Sequence, residues 1–193
     1  TTMPIYHAIF TEDAALDSGA AGTLDVMNWQ VGLFGEYPFL SQKYATASWM
    51  FHFGVEHQTC TGMPSATDYG VLQSVGDGYT RRNRHELTHM WFGDSTSYAS
   101  FDHVWLGEAF ATYAEALWAE HTGGIPAYHT YVRNWSLTYS DPIVGPNGHS
   151  YTGSVVYRRG AWVLHCLRHV IGDTAFFKTL KDFATSPGFR YGT

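Results

Sequence analysis

The residues best equipped for chemistry sit together in His85-Glu86-Leu87-Thr88-His89. Two histidines four apart on a helix project from one face, one turn above the other. Their imidazole nitrogens can meet a single cation, and the glutamate between them can accept a proton from a water on that cation. This is the H-E-x-x-H arrangement of zinc-activated water chemistry. A zinc ion that works on a water takes three protein ligands and keeps a fourth position open. The rest of the chain must therefore supply a third ligand.

Two continuations can be tested by counting. A third histidine of the H-E-x-x-H-x-x-G-x-x-H kind needs glycine at 92 and histidine at 95. The chain has Phe92 and Ser95 there. The alternative is a carboxylate from a second helix. Trp105, Phe110, Tyr113, Ala114, Leu117 and Trp118 recur at helical spacing. Glu108 falls in the first turn of that helix, and residues 93 to 104 give the chain room to reverse. Glu115 lies seven residues on and shares the face, so periodicity admits both. A second histidine pair, His165 and His169, has the same spacing but no adjacent glutamate and no placed acidic partner. It reads as structural.

The elements that must position these groups follow from the chain in order. Residues 1 to 23 carry many small residues and read as a surface connection. Thr23 is placed to cap a helix from Leu24 to Phe34, ended by Gly35. Residues 43 to 53 alternate, with Ala45, Ala47, Trp49, Phe51 and Phe53 on one side, which predicts a half-buried strand. Glu56 to Thr61 reads as a second extended piece, with a bend at Gly54. Residues 62 to 79 are glycine-rich and read as loop. The H-E-x-x-H helix is predicted over Arg81 to Phe92, stopped by Gly93. Arg81, Arg82 and Arg84 then sit poorly at its N-terminus, against the helix dipole. The Glu108 helix runs to His121 and is closed by Gly123-Gly124. A third helix spans Ile125 to Leu137, with Pro126 in its first turn. A loop covers 138 to 153. Ser154 is placed to cap a helix ended by Gly172, and Asp173 to cap a last helix through Phe183. The fold class is α+β, mostly helical, with a small N-terminal strand-containing lobe (residues 1–75) and a helical lobe (76–193).

Composition narrows the function. With 193 residues, 45% of them hydrophobic, the chain can bury the core of one domain. A net charge of -6 and a single short basic cluster argue against nucleic acid. No apolar run is long enough to span a membrane. No charged-then-apolar signal segment opens the chain, which reads as soluble without a legible compartment. Cys60 and Cys166 are the two cysteines, expected as buried thiols rather than a disulfide framework.

Five stretches, in order, resemble one family. His85-Glu86-Leu87-Thr88-His89-Met90-Trp91-Phe92-Gly93 resembles the H-E-L-x-H-x-W-F-G of the aminopeptidase N-like zinc aminopeptidases, gluzincins with a thermolysin-like catalytic domain. Eighteen residues separate His89 from Glu108, as in that family. Trp105 to Tyr113 resembles its W-L-N-E-G-F-A-T-Y. Tyr157-Arg158-Arg159-Gly160-Ala161 resembles its Y-E-K-G-A, and Phe34 to Phe39 its F-G-x-Y-P-F. Gly54-Val55-Glu56-His57-Gln58-Thr59 sits at its exopeptidase segment G-x-M-E-N, whose first glycine and methionine align with Phe53 and Val55. Residues 81 to 84 are polar where the family is usually apolar. Gly107 and Ala109 replace an asparagine and a glycine.

The resemblance implies a thermolysin-like zinc metallopeptidase catalytic domain over 1–193, without the family's N-terminal β-rich and C-terminal helical domains. It selects Glu108 as the third ligand beside His85 and His89, holding one Zn2+ per chain. Glu86 is implied as the proton carrier, Tyr157 as donor to the oxyanion, and Glu56 as the group that binds the substrate's α-amine. Gly54 and Val55 are implied as contacts to the substrate backbone. The implied reaction removes N-terminal residues from peptides with a free amine. Two other readings are a zinc-binding domain of weak activity and a thermolysin-like endopeptidase. Oligomeric state is not legible.

Overall fold

The computed structural model describes residues 2–16, 20–65, 77–135, 142–145 and 154–186. The loop expected over 138–153, the glycine-rich stretch beyond Ser65 and the end of the helix expected to reach Leu137 lie largely outside these residues. The described chain is mostly helical with one small three-stranded sheet. It divides into two compact units, Thr1–Met90 and Trp91–Thr193.

In the first unit the sheet has the order β1 (Ile5–Ala8), β2 (Tyr44–Trp49), β3 (Cys60–Pro64), all parallel. Tyr44 pairs with Ile5, and Ala45 with Cys60. β1 falls where the sequence reads as a surface connection. Four residues after Pro4 carry too little periodicity to announce a strand, and the partner lies far along the chain. β2 is shorter than expected and is not half-buried by alternation. As the central strand it buries Tyr44, Ala45 and Thr46 in succession, and the chain leaves the sheet after Trp49. Phe51 and Phe53 are consequently exposed, packed edge-on against the Trp49 indole. β3 starts later than predicted. Ahead of it Val55 pairs antiparallel with Gly62, donating to the Gly62 carbonyl at 3.0 Å and accepting from its N–H at 2.8 Å. Thr59 enters the strand at φ 62, a costly conformation for a β-branched residue. Lys43 Nζ holds it there through the Thr59 carbonyl and hydroxyl, and the Thr59 N–H meets Met90 Sδ.

Helices α1 (Thr23–Phe34) and α2 (Asp77–His89) complete this unit. Thr23 is not a cap. It is buried, and its hydroxyl accepts from Asn83 Nδ2 at 2.7 Å. Helix α2 starts four residues earlier than the sequence suggests, at Asp77, so the arginines lie a turn inside it and not at its first residues. Few of its residues are apolar. A buried polar network docks it instead. Asn83 accepts from the Tyr44 hydroxyl at 2.9 Å, and Gln30 of α1 donates to the Arg84 carbonyl at 3.0 Å and to Thr88 Oγ1 at 2.8 Å. Buried polar groups are tolerated only when partnered in this way. The polar residues at 81–84 therefore have a local explanation: Asn83 faces Tyr44 and Thr23, not an apolar wall.

The second unit is helical. α3 (Trp105–Arg133) breaks at Gly124, φ 68, with Pro126 opening the second half. This matches the two helices expected on either side of Gly123-Gly124. Ser154–Arg159 winds as a π-helix and runs into α4 (Gly160–Ile171). Gly172 at φ 78 ends α4, and α5 (Asp173–Thr185) follows. Asp173 is not a cap; its carboxylate takes two bonds of 2.8 Å from Arg168. Phe92, Phe110 and Phe183 stack in the core, beside buried Trp91, Tyr113 and Phe176. Contrary to the expectation of two buried thiols, Cys166 is exposed and Cys60 half-buried; both are free.

Candidate metal centre

In the first unit, α2 presents His85 and His89 on one face, with ring centroids 5.0 Å apart. His89 and Glu86 are buried and His85 half-buried. Because α2 is anchored by Asn83, Gln30 and Thr88 on its other faces, these three side chains have a fixed origin. The segment before β3 reaches back to them. Glu56, Glu86 and His89 each offer a ligand atom, all within 4.8 Å of one another. Gly54 lies directly under Glu86: a Cβ built there would meet the Glu86 Cδ at 2.7 Å and Cγ at 2.9 Å, with Oε1 closer still. Tyr44, fully buried, has its phenol pushed well above the usual value, first by burial, and stays a neutral donor and acceptor beside Glu86.

In the second unit, Glu108 lies in the first turn of α3, half-buried. The alternative carboxylate, Glu115, is buried and accepts from the Tyr131 hydroxyl, so it already serves the helix-to-helix packing. Tyr157 is half-buried on the π-helical turn rather than in a regular first helical turn. Such turns redirect a side chain relative to the helix that follows. Gly160 closes the approach of α4 to α3: a Cβ there would meet that of Ala109 at 2.6 Å. The contact brings the start of α4, which carries Tyr157 just upstream, against the start of α3, which carries Glu108.

The histidine pair 165/169 behaves differently. His165 Nδ1 bonds the Tyr128 hydroxyl at 2.6 Å, and Tyr128 bonds Tyr113 at 2.8 Å. Burial, followed by the nearby His129, His169 and Arg168, holds the His165 imidazole below its ordinary pKa. Among the described residues the pair belongs to no cluster able to hold a metal.

Two imidazoles and carboxylates on buried, anchored elements fit the nitrogen and oxygen donors that a borderline cation accepts. A fold of this kind, with H-E-x-x-H on an anchored helix, defines a metallopeptidase class. The match to known proteins is specific: the peptidase family M1 domain matches residues 82–193, and the chain belongs to that family. It is 31% identical over 122 residues to aminopeptidase N of Streptomyces lividans, a match covering 51% of this chain and 13% of that protein. Among solved structures, the M1 zinc metallopeptidase of Deinococcus radiodurans superposes with a TM-score of 0.74 at 30% identity, covering 96% of this chain and 40% of that one. A mutant of the same protein bound to a Tyr-Ser-Ala substrate matches with a TM-score of 0.71 at 31% identity, covering 88% and 36%. The chain thus spans well under half the length of these relatives.

What pattern reading did not find were the groups that hold the site. Gln30, Asn83 and Tyr44 carry no motif. For Asn83 the one signal was polarity inside a helix where apolar residues were expected; Tyr44, on β2, gave none.

Proposed function

We propose that residues 1–193 are a thermolysin-like catalytic domain of a zinc aminopeptidase. The observation that carries this reading is the meeting of Glu56, Glu86 and His89 within 4.8 Å, on a segment and a helix far apart in sequence. His85, His89 and Glu108 are the proposed ligands, a group of the right number and type for one Zn2+. When bound, the ion supplies a Lewis acid for the scissile carbonyl and lowers the pKa of a water toward ~7. Glu86 takes the proton of the attacking water and delivers it to the leaving amine. Tyr157 donates a hydrogen bond to the oxygen on which negative charge develops. Glu56 holds the cationic α-amine, which places the first peptide bond over Glu86. Gly54 and Val55, just ahead of Glu56, run beside the substrate backbone; Val55 is itself fixed by Gly62.

Peptide substrates with a free N-terminus follow from this arrangement, and the peptide carried by the Deinococcus relative supports them. No described helix is long and apolar enough to cross a membrane. The test is hydrolysis of an aminoacyl anilide by the zinc-loaded chain. Turnover should disappear with a chelator and return with zinc. Cleavage of N-blocked peptides at comparable rates would favour an endopeptidase. Zinc binding without turnover would leave a metal-binding domain of weak activity.

A further inference from the structure

The start of α4 meets α3 at a contact that leaves no slack. A Cβ at Gly160 would stand 2.6 Å from the Ala109 Cβ, closer than two such atoms come. The Ala109 methyl is bonded straight to the backbone and has no rotamer that could turn it away. Gly160 is not in the left-handed region, so its backbone does not require glycine. What requires glycine is the residue opposite. Without the Ala109 methyl, a Cβ at Gly160 would meet the Ala109 Cα at 3.7 Å and the Trp105 Cβ at 3.8 Å, both ordinary contacts. Position 109 is also where this chain carries alanine in place of the glycine of the motif it resembles. Gly123 is crowded too, by the Ala127 methyl at 2.7 Å, but both belong to α3 and space no second helix.

The other end of α4 is pinned. His165 bonds Tyr128 at 2.6 Å, and buried Arg168 holds Glu120 of α3 at 2.9 Å and Asp173 of α5 at 2.8 Å. A helix fixed at one end and pushed at the other pivots. Gly160 lies ~12 Å along the axis from Arg168. Tyr157 lies beyond Gly160, at the far end of that lever, and Glu108 is the chain neighbour of Ala109.

We infer that Gly160 is a positioning residue, whose contact with Ala109 sets how far the Tyr157 hydroxyl stands from Glu108. This rests on the roles proposed for those two groups.

To reach ordinary contact, a methyl at 160 must push the start of α4 away by about 1 Å, and the lever carries Tyr157 at least as far. A misplacement of ~1 Å can cost on the order of 100-fold in rate. That is the scale of losing one oxyanion donor outright. Glu108 stays on α3, so the metal should stay while turnover falls.

The experiment uses the zinc-loaded 193-residue chain as wild type, Gly160→Ala, the exchanged pair Ala109→Gly with Gly160→Ala, Tyr157→Phe, and Tyr157→Phe with Gly160→Ala. Zinc content, thermal midpoint, kcat and KM on an aminoacyl anilide are measured, with crystal structures of wild type, Gly160→Ala and the exchanged pair. Gly160→Ala should keep its zinc and lose on the order of 100-fold in kcat, with KM within about threefold. In the exchanged pair the methyl has only changed helices, and kcat should return to within about fivefold of wild type. In the Tyr157→Phe background the same alanine should cost less than about threefold, because the group it displaces is gone. A purely structural role would lower the midpoint and cost the same in both backgrounds. Equal losses, a kcat for Gly160→Ala within twofold of wild type, lost zinc, or an exchanged pair no better than the single variant would overturn the inference. A Gly160→Ala chain that does not fold would also overturn it, since the contact would then hold the fold and not the tyrosine. Should the wild-type chain show no hydrolysis, the peptidase reading fails separately, and the crystal structures still decide. A Tyr157 hydroxyl that leaves Glu108 in Gly160→Ala and returns in the exchanged pair supports the inference; an unmoved one removes it.

Discussion

Glu56 and Glu86 are two carboxylates in one cluster with opposite proposed tasks, and their surroundings suit that division. Glu86 is buried at 7% exposure, its carboxylate pressed on Gly54. Glu56 is half-buried, at the end of a segment fixed by the Val55–Gly62 pair. A buried carboxylate held against backbone suits proton transfer to one fixed point. A more open one suits capture of an incoming ammonium. Replacing Glu56 by alanine should cost about 2 kcal/mol of charge-assisted binding, on the order of 30-fold in KM, for free-amine substrates. N-acylated substrates should be hardly affected. Steady-state kinetics on matched free and blocked anilides check this, and an equal effect on both would remove the amine role.

At the scale of the element, α2 is held by hydrogen bonds as well as by its buried Tyr79 and Leu87. Asn83 is fully buried between Tyr44 and Thr23, and Gln30 reaches across from α1 to Thr88. Directional bonds fix the rotation of a helix about its axis more tightly than apolar packing does, and rotation decides where His85 and His89 point. Asn83→Ala leaves the Thr23 hydroxyl without its donor and the Tyr44 hydroxyl with Thr61 alone. It should destabilise the chain by about 1–3 kcal/mol, read as a lower urea midpoint. It should also weaken zinc binding, measured by competition with a chromogenic chelator. Unchanged metal affinity in the face of lost stability would separate the network from the site. The element boundaries show where pattern reading reaches its limit. The paired helices around Gly124 and the stop at Gly172 are legible because glycine at positive φ leaves a local mark. Caps at Thr23 and Asp173 are absent because another partner, the distant Asn83 in one case and Arg168 five residues away in the other, claims the side chain. β1 was missed because a four-residue edge strand is defined by its partner and not by its own pattern.

For the whole molecule the described titrating groups set a pH response. Burial holds His165 below its ordinary value of 6.5, so the folded chain binds fewer protons there than the unfolded chain. Stability rises with pH wherever the unfolded state holds more protons. The contribution of His165 is therefore fully present above 6.5 and is lost as the pH falls below it toward the folded value. The Arg168 guanidinium holds the exposed Asp173 carboxylate below its ordinary 3.8, which adds a second loss at lower pH, beginning near that value. Thermal midpoints should thus fall as the pH drops from 7 to 5, and His165→Gln should flatten that limb. An unaltered slope in the variant would assign the response to other groups.

The sequence by itself determined what depends on neighbours along the chain. The helical period places His85 and His89 on a common face with Glu86 between them, and the words from His85 to Ala161 fall within the stretch that matches family M1. Periodicity left Glu108 and Glu115 open, because both positions obey one helix. Only the tertiary structure engaged Glu115 with Tyr131, seated Glu86 on Gly54, and brought Glu56 within reach of His89. Such meetings depend on strand register and on which buried polar groups find each other, and neither leaves a repeat in the linear pattern.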